Sequence, residues 1–137
     1  MTQRFIQEVT AWIGTPFVHQ GRARGHGCDC IGLVIGAAAK LGLRVVDERA
    51  YARRPKSVLL RDKMREHLQP VSVDAMEPGD IMLFRIHKWP QHVAVLVDGG
   101  YMIHASADVG RVVKHRLDDK WRAHLDSVYR LIWSDHV

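Results

Sequence analysis

Phe5, Val9, Trp12 and Ile13 recur at the i, i+4, i+7 and i+8 spacing of one helix face. The pattern predicts a helix over residues 3–13, with Thr2 as its N-cap and Gly14 as its stop. Thr15-Pro16 then forces an extended stretch, because proline keeps its predecessor out of helical geometry. Residues 17–29 are glycine-rich with little apolar periodicity, which predicts a long loop of the kind that usually carries function or disorder. From Cys30 to Leu41 the run CIGLVIGAAAKL is apolar nearly all round, the signature of a buried central helix. Asp29 is placed to cap it and Gly42 to end it, while Gly32 and Gly36 weaken it but permit close packing on one side. A more exposed helix is expected over 57–68, from a Ser57 cap to Leu68, closing before Pro70.

The second half changes period. MEPGDIMLF reads as a Pro-Gly turn feeding a strand near 80–86, and further strands are expected at 111–117 and 128–133. QHVAVLVDGGYMIHA reads as a hairpin about Asp98-Gly99-Gly100. A three-residue loop pairs Val97 with Tyr101, Val95 with Ile103 and Val93 with Ala105, giving one wholly apolar face. The other face then carries His92, Ala94, Leu96, Met102 and His104. His104 falls opposite Ala94 with His92 as its diagonal neighbour, about 7–8 Å away at the backbone and within reach of two imidazole rings. Helices first and strands later predict an α+β fold with an antiparallel sheet, and residues 1–137 are expected to form one domain.

Composition narrows the classes. The chain is 47% hydrophobic and 26% charged, as expected of a folded domain, and 20 basic against 15 acidic residues give a formal charge of +5. The basic residues are scattered, and the densest group, Arg53-Arg54-Pro55-Lys56, is expected to be a solvated surface face, so no nucleic-acid partner is assigned. MTQRFIQEVTAW is not a signal peptide, and no apolar run approaches the roughly 20 residues that span a bilayer. The expectation is a chain that stays in the cytoplasm or leaves it as cargo of something larger, without membrane insertion.

Cys28 and Cys30 are too close for an unstrained disulfide, so reduced thiols are expected. A zinc site with His26 and a sheet histidine is disfavoured by the C-x-C spacing and the lack of a second cysteine pair. A redox role is disfavoured by the absence of C-x-x-C beside a βαβ unit. Cys30 opens the buried helix, where backbone N–H groups and the dipole are expected to lower its pKa toward the thiolate. Cys30 as a nucleophile served by His92 or His104 is one reading; a buried structural thiol is the other.

These residues also resemble a known family. GTPF, GCDCIGLV, MEPGDIMLF and HVAVLVDGGYMIHA, in that order over residues 12–106, resemble the NlpC-type cell-wall peptidases, a branch of the papain-like cysteine peptidases. The C-D-C variant, the H-Q-G in the loop, the short length and the missing signal peptide resemble members encoded in phage-tail and gene-transfer-agent modules. The resemblance implies a papain-like fold and a thiol protease, a hydrolase acting on stem-peptide amide bonds of peptidoglycan, typically γ-D-glutamyl–diaminopimelate. It makes Cys30 the nucleophile, His92 the general base and His104 the residue orienting His92. Phe17, His19, Gln20, Cys28 and Asp29 become the candidates for lining the substrate site. The expected partners are a stem peptide and phage-like tail proteins, and the mechanism needs no cofactor and no metal. Phe17 replaces the family's tyrosine, His19-Gln20-Gly21 its W-G-G, and Ile31 its serine, which reads as a packing change. An inactive tail-tip or assembly protein and a papain-like acyltransferase are the alternatives.

Overall fold

The computed structural model describes residues 1–47, 49 and 51–133. Helix α1 (Thr2–Ala11) buries Phe5, Ile6 and Val9, with Trp12 buried at its C-cap and Ile13 exposed. It starts earlier than its apolar spacing predicts: Thr2 lies inside it and Met1 is the N-cap, without a side-chain bond. Ile6 therefore completes the buried face in place of Ile13, since the chain reverses at Gly14 with φ +92°, a conformation that favours glycine. The glycine-rich loop is more ordered than its composition suggests. It contains a short antiparallel ribbon of β1 (Arg22–Ala23) and β2 (Gly27–Cys28).

Helix α2 (Cys30–Lys40) runs as expected, with Asp29 accepting the N–H of Gly32 at its start. A Cβ on Gly32 would meet the carbonyl oxygen of Gly21, and one on Gly36 the Trp12 indole, so both glycines serve close packing. Helix α3 (Leu59–His67) begins after a Val58 N-cap, although the Ser57 hydroxyl accepts the Leu59 N–H at 3.3 Å.

The remaining elements are β3 (Gln69–Val71), β4 (Ile81–Ile86), β5 (Trp89–Val97), β6 (Tyr101–Ser106), β7 (Arg111–Arg116), α4 (Asp119–Arg122) and β8 (Leu125–Arg130). Six strands form an antiparallel sheet in the order β3-β8-β4-β5-β6-β7. The β5–β6 register is the one parity predicts, with Val97 opposite Tyr101 and Val95 opposite Ile103. β3 carries Pro70 at the sheet edge, a place that needs no ladder donor. Neither β3 nor α4 follows from the apolar pattern.

Helix α1 packs on α2, and α2 packs on β5 and β6. The sheet face toward the helices contributes Ile81, Leu83, Val93, Val95, Ile103 and Val112 to the main core. The opposite face builds a smaller core from Met82, Phe84, Ala94, Leu96 and Met102, covered by Leu117 and Trp121. Covering on both sides explains why β4 and β5 read as continuous apolar runs. Two forks fasten the periphery. Arg130 grips the buried Asp80 at 2.8 and 2.9 Å, tying the Pro-Gly turn to β8, and Arg61 grips Asp126 at 3.0 and 2.6 Å, tying α3 to β8.

Candidate active site

The segment before α2 is held beside β7 by backbone bonds from Gly14 N–H to Val112, from Val112 N–H to Thr15 and from Phe17 N–H to Gly110, and is folded on itself by bonds from Cys28 N–H to Pro16 and from Val18 N–H to Cys28. This delivers Asp29 and Cys30 to one wall of a cleft of about 320 Å³. Phe17, His19, Tyr51, His92, His104, Asp108 and Trp121 also border it. His92 and His104 arrive from the sheet face opposite the helices, as the hairpin register requires, and Nε2 of His92 lies 2.7 Å from Nδ1 of His104. A third imidazole, His115 on β7, continues the row: its Nε2 lies 2.7 Å from Nε2 of His104. Trp121 of α4 lies against all three rings at centroid distances of 5.9, 5.2 and 5.5 Å.

Burial, reinforced at His104 by the neighbouring imidazoles, pushes His92 down to about 4 and His104 down to about 3. Asp108 opposes the shift at His92 without reversing it. Both rings are therefore neutral at pH 7. The helix-start lowering expected of Cys30 is overturned. Burial first, and the Asp29 carboxylate second, push its thiol up to about 12, against the backbone N–H groups of Val93, Ile31 and Cys30 that favour the thiolate. The residue that caps α2 places a negative charge where the dipole is positive, and so cancels the effect the dipole alone would have. The resting site holds a neutral thiol beside neutral His92 and His104.

Asp29 is 3% exposed and fully engaged. It accepts from Gly32 N–H at 2.8 Å, Arg22 Nη1 at 3.0 Å, Gln20 N–H at 2.8 Å and the Tyr51 hydroxyl at 2.6 Å. Arg22 also donates to Tyr51 Oη at 2.8 Å and to Asp47 at 3.1 Å. Among the described residues, no group of three or more His, Cys, Asp or Glu is placed to hold a metal ion.

The NlpC/P60 family pattern matches residues 14–130. The chain belongs to the NlpC/P60 family. It is 22% identical over 129 residues to a murein DD-endopeptidase/murein LD-carboxypeptidase, MepS, of Escherichia coli strain K12, covering 94% of this chain and 62% of that protein. This chain thus spans under two thirds of the curated relatives it matches. Among solved structures, the NlpC/p60 domain of the peptidoglycan hydrolase SagA superposes with a TM-score of 0.71 at 22% identity, covering 96% of this chain and 99% of that one. The peptidoglycan hydrolase RipB of Mycobacterium tuberculosis gives a TM-score of 0.72 at 20% identity, over 97% of this chain and 65% of that one. These likenesses establish the papain-like fold, with α2 packed on the antiparallel sheet.

Within this NlpC/P60 frame, not every expected site residue reaches the cleft. Phe17, His19 and Asp29 do. Cys28 does not: on β2 it is completely buried in the main core. Gln20 also falls outside the cleft wall. It adopts φ +61°, and its amide nitrogen donates to the carbonyls of Arg49 at 2.6 Å and Tyr51 at 3.2 Å, so it fastens the loop after α2. Ile31 borders the cleft rather than merely packing. The basic run is not only a solvated face, since Arg53, Arg54 and Pro55 form part of the cleft rim. Phe17 leaves the family tyrosine's hydroxyl missing, yet Tyr51 brings another hydroxyl to the same cleft.

His115, Trp121, Asp108 and Tyr51 escaped sequence reasoning. His115 was within reach: carrying the hairpin parity one strand further sets it on the face of Met102, its partner in the β6–β7 ladder. Trp121 had a weaker cue in Asp118, which accepts its N–H as an N-cap. Tyr51 and Asp108 sit in loops, where no periodicity speaks.

Proposed function

We propose that this NlpC/P60 protein is a cysteine peptidase that hydrolyses stem-peptide amide bonds of peptidoglycan, with γ-D-glutamyl–diaminopimelate as the preferred bond. The observation that carries the reading is the gathering of Cys30, His92 and His104 around one cleft at the start of α2, each at its family motif position. In this reading His92 uses its nitrogen that is not engaged with His104 to take the Cys30 proton as sulfur attacks the carbonyl. Thiol and imidazole begin neutral, so charge separation accompanies attack. The tetrahedral oxyanion would lie at the N–H of Cys30 at the helix start. His92 then protonates the leaving amine, the acyl group remains on Sγ as a thioester, and water releases it.

Arg53 and Arg54 on the rim support a substrate carrying free carboxylates, as stem peptides do. The C-D-C and H-Q-G resemblances support delivery with a phage-like tail for cell-wall penetration. Purified muropeptides incubated with the protein should yield new amine-bearing fragments, and Cys30→Ala should abolish them. Fragment masses separate the γ-D-glutamyl–diaminopimelate bond from a DD bond of the kind the murein DD-endopeptidase MepS is named for. Full activity in Cys30→Ala, or no cleavage by free or tail-assembled protein, would refute the peptidase reading in favour of a binding or assembly role. An amine adduct in place of a carboxylic acid would identify an acyltransferase.

A further inference from the structure

We infer that His115 is a positioning residue of this site: anchored by a backbone carbonyl, it sets the tautomers of His104 and His92 and so decides whether the His92 nitrogen not engaged with His104 is bare and able to take a proton. The assignment rests on the cysteine-nucleophile reading above. Its premise is that a carbonyl oxygen can only accept a hydrogen bond.

Nδ1 of His115 lies 3.0 Å from the carbonyl oxygen of Arg116, so that nitrogen carries the hydrogen. With that one hydrogen on the ring, Nε2 of His115 is bare and accepts from the Nε2–H of His104, 2.7 Å away. His104 is held neutral by burial, so its Nδ1 is bare in turn and accepts the Nε2–H of His92, also 2.7 Å away. His92, likewise neutral, is left with a bare Nδ1, the only ring nitrogen able to receive a proton from the thiol. One peptide carbonyl thus orients three imidazoles across β5, β6 and β7. The alternative chain, with every hydrogen moved to the other nitrogen, would set a bare Nδ1 of His115 against a carbonyl lone pair. It would also leave His92 with Nδ1–H and no base.

Geometry holds the row in this order. The ring pairs His92–His104 and His104–His115 meet edge to face at interplanar angles of 82° and 85°, which aims each N–H at its neighbour's lone pair. Trp121 caps the row from α4 and limits competition from water. His104 is 3% exposed, so its Nε2–H has no replacement partner if His115 is removed.

Heteronuclear NMR of the wild-type protein tests the assignment without any substrate. The nitrogen shifts should identify hydrogens on Nδ1 of His115 and on Nε2 of both His104 and His92. A hydrogen on Nδ1 of neutral His104 would overturn the proposal. His115→Phe keeps an aromatic ring beside Trp121 but offers no acceptor, whereas His115→Gln can place a carbonyl oxygen near the former Nε2. In His115→Phe, the rate of Cys30 alkylation by iodoacetamide at pH 7, followed on the isolated Cys30 peptide, should fall roughly 10- to 100-fold, the span expected for one buried hydrogen bond that selects a tautomer. His115→Gln should recover most of that loss. On muropeptides, kcat should fall with KM nearly unchanged. Equal alkylation rates in a folded His115→Phe, or equal losses in the Phe and Gln variants with native His104 shifts in both, would refute the role. Failure of the wild type to cleave muropeptides would refute the peptidase reading alone, since the NMR and alkylation readouts do not depend on it.

Discussion

Asp29→Asn changes one atom, and the geometry makes it costly. Oδ1 of Asp29 accepts from Gly32 N–H and Arg22 Nη1, and Oδ2 from Gln20 N–H and the Tyr51 hydroxyl. An amide must therefore set its NH₂ against an N–H donor whichever way it is flipped. The better flip puts NH₂ on the Oδ2 side, where the Tyr51 hydroxyl can rotate to accept, but the Gln20 N–H is orphaned. An unsatisfied buried donor costs about 1–3 kcal/mol. Arg22 keeps Asp47 at 3.1 Å but loses its nearer countercharge, adding roughly 1 kcal/mol. The sum is about 3 kcal/mol, which for a chain of this size lowers Tm by roughly 10 °C. Calorimetry at pH 7 would measure it. The same substitution removes a charge that raises the Cys30 thiol, so iodoacetamide labelling of Cys30 should become faster even as the fold weakens. A Tm within about 2 °C of wild type would refute the reasoning, because it would mean that the four donors do not depend on a carboxylate.

Two further outcomes follow from the titrating groups. Cys30, held near 12, should alkylate faster as pH rises through the alkaline range, with no thiolate plateau below about pH 8; such a plateau would restore the helix-dipole expectation. His92 and His104 take up protons near 6.5 when unfolded but only near 4 and 3 when folded. The unfolded chain therefore binds more protons across that window, so stability should fall as pH drops from about 6.5 toward 4. Tm measured against pH should decline there, and His104→Gln should flatten the decline; parallel curves would count against the buried neutral pair.

Much of the architecture was legible because it depends on local rules. The all-round apolar run 30–41, punctuated by Asp29 and Gly42, specifies a buried helix wherever it packs. The parity of the hairpin places His92 and His104 on one face, because alternation along a strand leaves no choice once the turn length is fixed. The same rule would have reached His115, had it been carried across to β7.

Burial and long-range pairing were not legible. Two cysteines one residue apart part company because β2 turns Cys28 into the core while α2 starts at Cys30, a choice made by the neighbours of each side chain. The thiol's pKa depends on how much water the cleft excludes and on where Asp29 points, and neither is a property of the motif. Tyr51 and the Arg53-Arg54 rim come from a loop whose path is set by Gln20 and Arg22, some 29 residues earlier for Tyr51 and Arg22. The sequence by itself thus determined the elements, the place of Cys30 at a helix start and the shared face of two histidines. Tertiary structure decided the charge states, the third imidazole and the cleft wall, because desolvation and hydrogen bonding are summed over neighbours far apart in the chain.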